Sequence, residues 1–205
     1  MRHGQPEGGD VLRGRVDHPL SDHGWGQMWR AVNLNPAVHS SIPDSLPWDE
    51  IITSPLQRCR SFAEQLAQLA DLPVSVEQNW QEIDYGDWDG MPLTEWREAA
   101  ASQFREFRKD LSALHPPSGE QFILFRDRIL EAWYKVLDRP AGSRVLLVTH
   151  GGVMRVVLPT VLGMPLNQTG VLEIPFACLS RVQVHGQGDK RHSRLLAHNV
   201  AVDAD

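Results

Sequence analysis

Arg144-Val145-Leu146-Leu147-Val148-Thr149-His150-Gly151-Gly152-Val153 is the stretch on which the fold turns. Val145 to Val148 is an unbroken apolar run of strand length, the composition of a strand buried on both faces in a parallel sheet. It breaks at His150-Gly151-Gly152 and resumes as an apolar helical segment, Val153 to Leu162. A second strand-to-helix junction lies upstream, where Asp49-Glu50-Ile51-Ile52-Thr53 runs into Ser54-Pro55-Leu56. Ser54 is suited to cap a helix and Pro55 to open it. Leu56, Cys59, Phe62, Ala63, Leu66 and Ala70 then recur at helical spacing. Two such junctions predict an α/β fold: three αβα layers, with a mostly parallel central sheet and helices on both faces.

The other elements follow from periodicity. Trp25, Met28, Trp29 and Val32 form a helical stripe after Ser21, despite Gly24 and Gly26. Phe122, Phe125, Ile129, Trp133 and Val136 form a second stripe. Leu179 to His185 and Leu195 to Val200 read as late strands. One helix is expected from Trp96 to Leu111, inside a helical insertion or lid spanning 92–117 that ends in a Pro-Pro-Ser-Gly turn. Residues 1–205 read as one domain, with a frayed tail after Val200.

Composition narrows the class. The chain has 205 residues, 41% apolar and 22% charged, with 20 basic against 26 acidic side chains and a net charge of −6. An acidic balance argues against a nucleic-acid or membrane surface binder. Two cysteines, Cys59 and Cys178, are too few for a disulfide framework and suit a reducing compartment. No run approaches the ~18 apolar residues of a membrane span. A cytoplasmic protein is expected.

Chemistry concentrates at the junctions. Arg2-His3-Gly4 opens the chain, Arg58 lies one turn into the helix after Ser54, and His150-Gly151-Gly152 marks the later junction. In a doubly wound sheet, junctions at the carboxyl ends of strands face one crevice. Helix N-termini there favour an anion. Two arginines and two histidines make a cationic pocket in an acidic protein, and phosphate fits it because arginine grips phosphoryl oxygens with a planar fork. Each piece alone has a bland reading, as a core histidine or a solvated arginine; their joint order and context do not.

These residues, with Gly14-Arg15-Val16-Asp17-His18-Pro19-Leu20-Ser21, Thr53 to Arg60, Glu82 to Gly90, Pro117-Ser118-Gly119-Glu120 and Val148 to Val153, resemble the histidine phosphatase superfamily, in its phosphoglycerate mutase-like branch. The resemblance implies a phosphoglycerate mutase-like fold and no metal or other cofactor. It implies His3 as nucleophile, forming a phosphohistidine. Arg2, Arg58 and His150 would hold the phosphoryl oxygens, with Gly4 and Gly151 beside the substrate. Glu82 would protonate the leaving oxygen and then activate water. The chemistry supports these roles: neutral imidazole is a competent nucleophile, and phosphoryl transfer needs mainly positioning and charge neutralisation. Glu82 sits among Trp80, Tyr85 and Trp88, a neighbourhood suited to a general acid. Asp84, Asp87 and Asp89 read as a solvated acidic loop.

Two departures from the family stand out. Its apolar first strand leading into Arg-His-Gly is reduced to Met1, so that strand is expected to be missing from the chain as given. Gln5-Pro6 and a short Glu7-to-Leu12 loop replace a longer stretch, so substrate contacts from that loop do not transfer. The chain lacks the longer insertion and tail of the mutase branch, which favours a phosphatase. The short first loop, the Glu82-to-Pro92 segment and the Pro-Pro-Ser-Gly-Glu turn look most like the α-ribazole-5′-phosphate phosphatases of cobalamin biosynthesis. Trp96, Phe104 and Phe107 are candidates to stack on a base, against packing roles for at least two of them. The expected partner is a small phosphomonoester, with neither nucleic acid nor membrane, and a homodimer is open. The alternatives are a broad-specificity phosphatase, a mutase-type enzyme, and an inactive relative that binds a phosphorylated ligand.

Overall fold

The computed structural model describes residues 1–34, 46–186 and 188–200, without the side chains of Phe104, Phe107, Arg108, Leu166, Asn167, Thr169 and Asp189. The stacking role considered for Phe104 and Phe107 therefore lies outside the described residues.

Strand β1 (Glu50–Thr53) lies between β2 (Val74–Val76) and β3 (Val145–Val148), and all three are parallel. Because successive strand side chains face opposite ways, β1 and β3 each feed two cores. Ile51, Leu146 and Val148 pack with Met28, Trp29, Phe62 and Leu66, from helices α1 (Asp22–Ala31) and α2 (Gln57–Ala70). Ile52, Val145 and Leu147 pack on the other side with Phe125, Ile129, Trp133, Val153 and Val156, from α5 (Phe122–Leu137) and α6 (Gly151–Leu162). Helices on both faces of a parallel sheet are thus the direct result of strand alternation. Strands β4 (Ser180–His185) and β5 (His192–His198) pair antiparallel as a second, two-stranded sheet.

The short start of the chain behaves as a strand. Thr149 N–H donates to the Met1 carbonyl and His3 N–H to the Thr149 carbonyl, 2.8 and 2.9 Å. On the other side Arg2 N–H donates to Cys178 and Ala177 N–H to His3. These bonds seat His3 at the carboxyl end of β3.

Two local expectations change. The helix after β1 begins at Gln57, with no side-chain cap from Leu56. Ser54 Oγ accepts the Leu56 N–H at 3.3 Å, ahead of the helix, and also bonds His150, and Asp17 Oδ1 receives the Gln57 N–H at 2.8 Å. The single helix expected from Trp96 to Leu111 is two: α3 (Leu93–Ala99) and α4 (Ala101–Lys109). The break falls at fully buried Ala100, whose contact with the core sets the joint.

Candidate active site

His3 and His150, 147 residues apart in the chain, have ring centroids 5.3 Å apart in an edge-on arrangement. Each hangs from a different strand end, and both are buried. His3 Nδ1 is 2.7 Å from the Gly4 carbonyl. A carbonyl only accepts, so Nδ1 carries the proton and the Nε2 lone pair is left for chemistry. Gly4 thus serves the site through its own carbonyl. It must also be glycine, because a Cβ there would overlap the Gly24 carbonyl of α1.

Burial pushes the His3 imidazole well below its usual pKa, and the Arg58 and Arg2 charges push it further. The same causes, burial first and then Arg58, depress His150. Both rings are neutral at pH 7. His150 Nε2 is held by Ser54 Oγ at 2.7 Å, and the same oxygen accepts the Leu56 N–H at 3.3 Å.

Arg58 is fully buried and fixed by two carbonyls: Nη1 donates to Val16 at 2.9 Å and Nη2 to Gly14 at 2.8 Å. Arg2 Nη1 donates to Ile174 at 2.6 Å, and its guanidinium lies 4.2 Å over the Phe176 ring. Burial lowers the Arg2 guanidinium to about 10, opposed by the Glu82 charge, so it stays cationic. The Nε–H of each arginine is buried with no acceptor among the described residues. An oxyanion would satisfy both, since a buried unpaired donor is costly. Gly151 begins α6 beside the Arg2 guanidinium, whose Nε is 3.2 Å from where a Cβ would stand.

Glu82 is 7% exposed. Its Oε2 accepts the Gly152 N–H at 2.9 Å and its Oε1 the Ile83 N–H at 3.1 Å. A carboxylate thus docks on the first turn of α6, where unpaired N–H groups favour negative charge. The arrangement gathers an imidazole with an oriented lone pair, two fixed cations, a second imidazole and a buried carboxyl group.

Several contributors escaped the sequence reading. Phe176, whose ring is 5.8 Å from His3, walls the pocket from a segment with no motif. Asp89 is no solvated loop residue: Oδ1 accepts Gly14 N–H, and Oδ2 accepts Arg15 and Val16 N–H, within 2.8 Å. It pins the loop whose carbonyls aim Arg58. Asp84 and Asp87 also have partners, in Gly86 N–H and the Ser118 hydroxyl. Gly152, passed over beside Gly151, leaves room for the Glu82 carboxylate; a Cβ there would overlap Glu82 Oε1 and stand 3.0 Å from Cδ. The double glycine was its signal.

Two predictions arise here. Gly152→Ala should displace the Glu82 carboxylate and lower kcat/KM on an alkyl phosphate by roughly 10–100-fold. The inhibition constant of inorganic phosphate should hold. An unchanged kcat/KM would contradict the docking. The second concerns stability. Both folded histidines have depressed pKa values, so below about pH 6.5 the unfolded chain binds protons that the folded chain does not. Their contribution is fully present above pH 6.5 and is lost as pH falls, at up to roughly 2.7 kcal/mol per pH unit for two rings. Denaturant titrations at several pH values should show a shallower acid slope for the His3→Asn, His150→Asn double variant; equal slopes would refute it.

Comparisons with known proteins follow the same lines. A family model described as histidine phosphatase superfamily (branch 1) matches residues 1–196. "Probable phosphoglycerate mutase GpmB" of Klebsiella pneumoniae subsp. pneumoniae is 29% identical over 184 residues, 89% of this chain and 82% of that one. Glucosyl-3-phosphoglycerate phosphatase of Mycolicibacterium vanbaalenii is 30% identical over 181 residues, 84% and 76% of the two chains. The crystal structure of α-ribazole phosphatase from Shigella flexneri superposes with a TM-score of 0.80 at 21% identity, covering 100% of this chain and 97% of that one. With a family model spanning nearly the whole chain, this chain belongs to the histidine phosphatase superfamily.

Proposed function

We propose that the chain is a phosphomonoester hydrolase acting through a phosphohistidine on His3. The observation that carries this is the His3 ring itself: Nδ1 is tied to the Gly4 carbonyl at 2.7 Å, so the reactive Nε2 is aimed and unprotonated between two fixed arginines. In the first step Nε2 attacks phosphorus in line. The P–O bond to the leaving group breaks, and Glu82 delivers a proton to that oxygen. Arg2, Arg58 and His150 spread the charge on the equatorial oxygens, a task of positioning and electrostatics. In the second step the Glu82 carboxylate takes a proton from water as it attacks phosphorus, releasing phosphate and restoring His3.

The test is an acid-sensitive, alkali-stable phosphoryl label, trapped during turnover of a radiolabelled ester and mapped to His3. A label elsewhere, or none under conditions of rapid turnover, would sink the mechanism. The arginines already neutralise phosphoryl charge, so EDTA should leave kcat unchanged. Activity abolished by EDTA and restored by a divalent cation would contradict this.

For the substrate, the short first loop and the segments around Glu82 and Glu120 favour α-ribazole 5′-phosphate. The two relatives above are named for phosphoglycerate chemistry, which makes 3-phosphoglycerate the necessary competitor. The α-ribazole reading requires the higher kcat/KM on α-ribazole 5′-phosphate and no phosphoryl transfer between positions of phosphoglycerate. Trp96 is half-buried and packs against the core beside Trp88, centroids 6.5 Å apart, so base stacking by this ring is not part of the proposal.

A further inference from the structure

The Gly119-Glu120 motif and Arg128 on α5 play no part in the chemistry above, yet they surround its acid. We propose that the Arg128–Glu120 pair is a positioning device for Glu82, holding the acid's backbone while Gly152 holds its carboxylate. The inference rests on the reading of Glu82 as general acid.

Every N–H of the Arg128 guanidinium is used. Nε donates to Glu120 Oε1 at 2.7 Å, and Nη2 donates to Oε2 at 2.8 Å. Nη1 donates to the carbonyls of Asn79 and Gln81 at 2.8 and 2.9 Å, and Nη2 to the carbonyl of Glu82 itself at 3.0 Å. Beneath the guanidinium lies the Phe125 ring, 4.8 Å away. Glu120 grips the far side: its N–H donates to the Asp84 carbonyl at 2.9 Å, and Oε2 accepts the Asp84 N–H at 3.3 Å. The backbone from 79 to 84 is thus tied to one ion pair on both flanks of Glu82.

The pair is sheltered, with side chains 18% and 16% exposed, unlike a surface bridge of little consequence. Its geometry needs the arginine fork, because one ammonium group cannot meet a carboxylate and three carbonyls together. A misplaced acid costs rate steeply, about 10²-fold for ~1 Å. No phosphate contact is involved, so the pair bears on protonation of the leaving oxygen and leaves the anion pocket alone.

The experiment measures kcat/KM for Arg128→Lys, Glu120→Gln, Glu82→Gln and the Arg128→Lys, Glu82→Gln double variant, on an alkyl phosphate and on p-nitrophenyl phosphate. Arg128→Lys and Glu120→Gln should each lose roughly 10–100-fold on the alkyl ester and little on the activated one. The inhibition constant of inorganic phosphate should be unchanged. In the Glu82→Gln background, Arg128→Lys should cost nothing further, since there is no longer a proton to position. Equal losses on both esters for the Arg128 and Glu120 variants, or additive losses in the double variant, overturn the proposal while leaving Glu82 as acid. Equal losses for Glu82→Gln itself overturn both. If neither Arg128→Lys nor Glu120→Gln yields a folded protein by thermal melting, the pair is an element of the fold and the proposal falls.

Discussion

His3→Ala should be almost inert toward every ester, with kcat/KM down by roughly 10⁴–10⁶-fold, the scale on which removal of a covalent nucleophile registers. No other described residue offers the same combination at the pocket. His150 is the nearest substitute, but its Nε2 is committed to Ser54 Oγ. The thiol of Cys59 lies beside His150, yet burial pushes it up to about 12, leaving it unionised and unreactive at neutral pH. The backbone of residue 3 pairs with Thr149 and Ala177, and these bonds survive the substitution. The variant should therefore still fold and still bind inorganic phosphate through Arg2, Arg58 and His150. The measurement is steady-state turnover on an alkyl and an aryl ester, with phosphate binding by calorimetry as control. Turnover comparable to the parent chain, in a protein that binds phosphate, would remove His3 from the mechanism.

What the sequence disclosed, and what it hid, follows from the range of the interactions. Ile51-Ile52 and Val145 to Val148 are local apolar runs beside turn-forming residues, so both strand–helix junctions were readable, and with them the αβα layering. Arg58 and His150 were readable for the same reason, whereas Arg2 and His3, with only Met1 before them, were placed by the resemblance. Ser54 keeps its local bond to the Leu56 N–H, but the helix starts two residues later than the Ser-Pro pair suggests, and its tie to a histidine 96 residues away had no local sign. Asp89 was misread because its three partners lie 73 to 75 residues upstream; locally it is one of three aspartates in a loop. The break between α3 and α4 has no glycine or proline to announce it, and rests on burial of Ala100. Phe176 has no pattern around it at all, since its role comes from the return of the chain beside Arg2.

Glu82→Gln should divide the substrates where His3→Ala does not. General acid–base catalysis is worth ~10²–10⁴-fold, and its value grows with the basicity of the leaving oxygen. An alkyl phosphate should thus lose that factor, while p-nitrophenyl phosphate, whose leaving group needs little protonation, should keep most of its rate. Glutamine is the right replacement because its amide oxygen can still accept the Gly152 N–H that Glu82 Oε2 accepts at 2.9 Å. It keeps the volume and the docking on α6 and removes only the transferable proton. The measurement is kcat/KM for both esters in the variant and the parent chain. Should Glu82→Gln lose the same factor on each, Glu82 is structural and another acid must be found. The neighbouring aspartates are poor replacements. Asp89 is consumed by three backbone N–H groups, Asp84 by Gly86 N–H, and Asp87 faces Ser118 on the exposed side of the loop. Among the described residues, only Glu82 combines burial with a carboxyl docked on the first turn of α6, at Gly152 beside Gly151 and two residues from His150, so the split between esters tests the carboxyl that the geometry puts there.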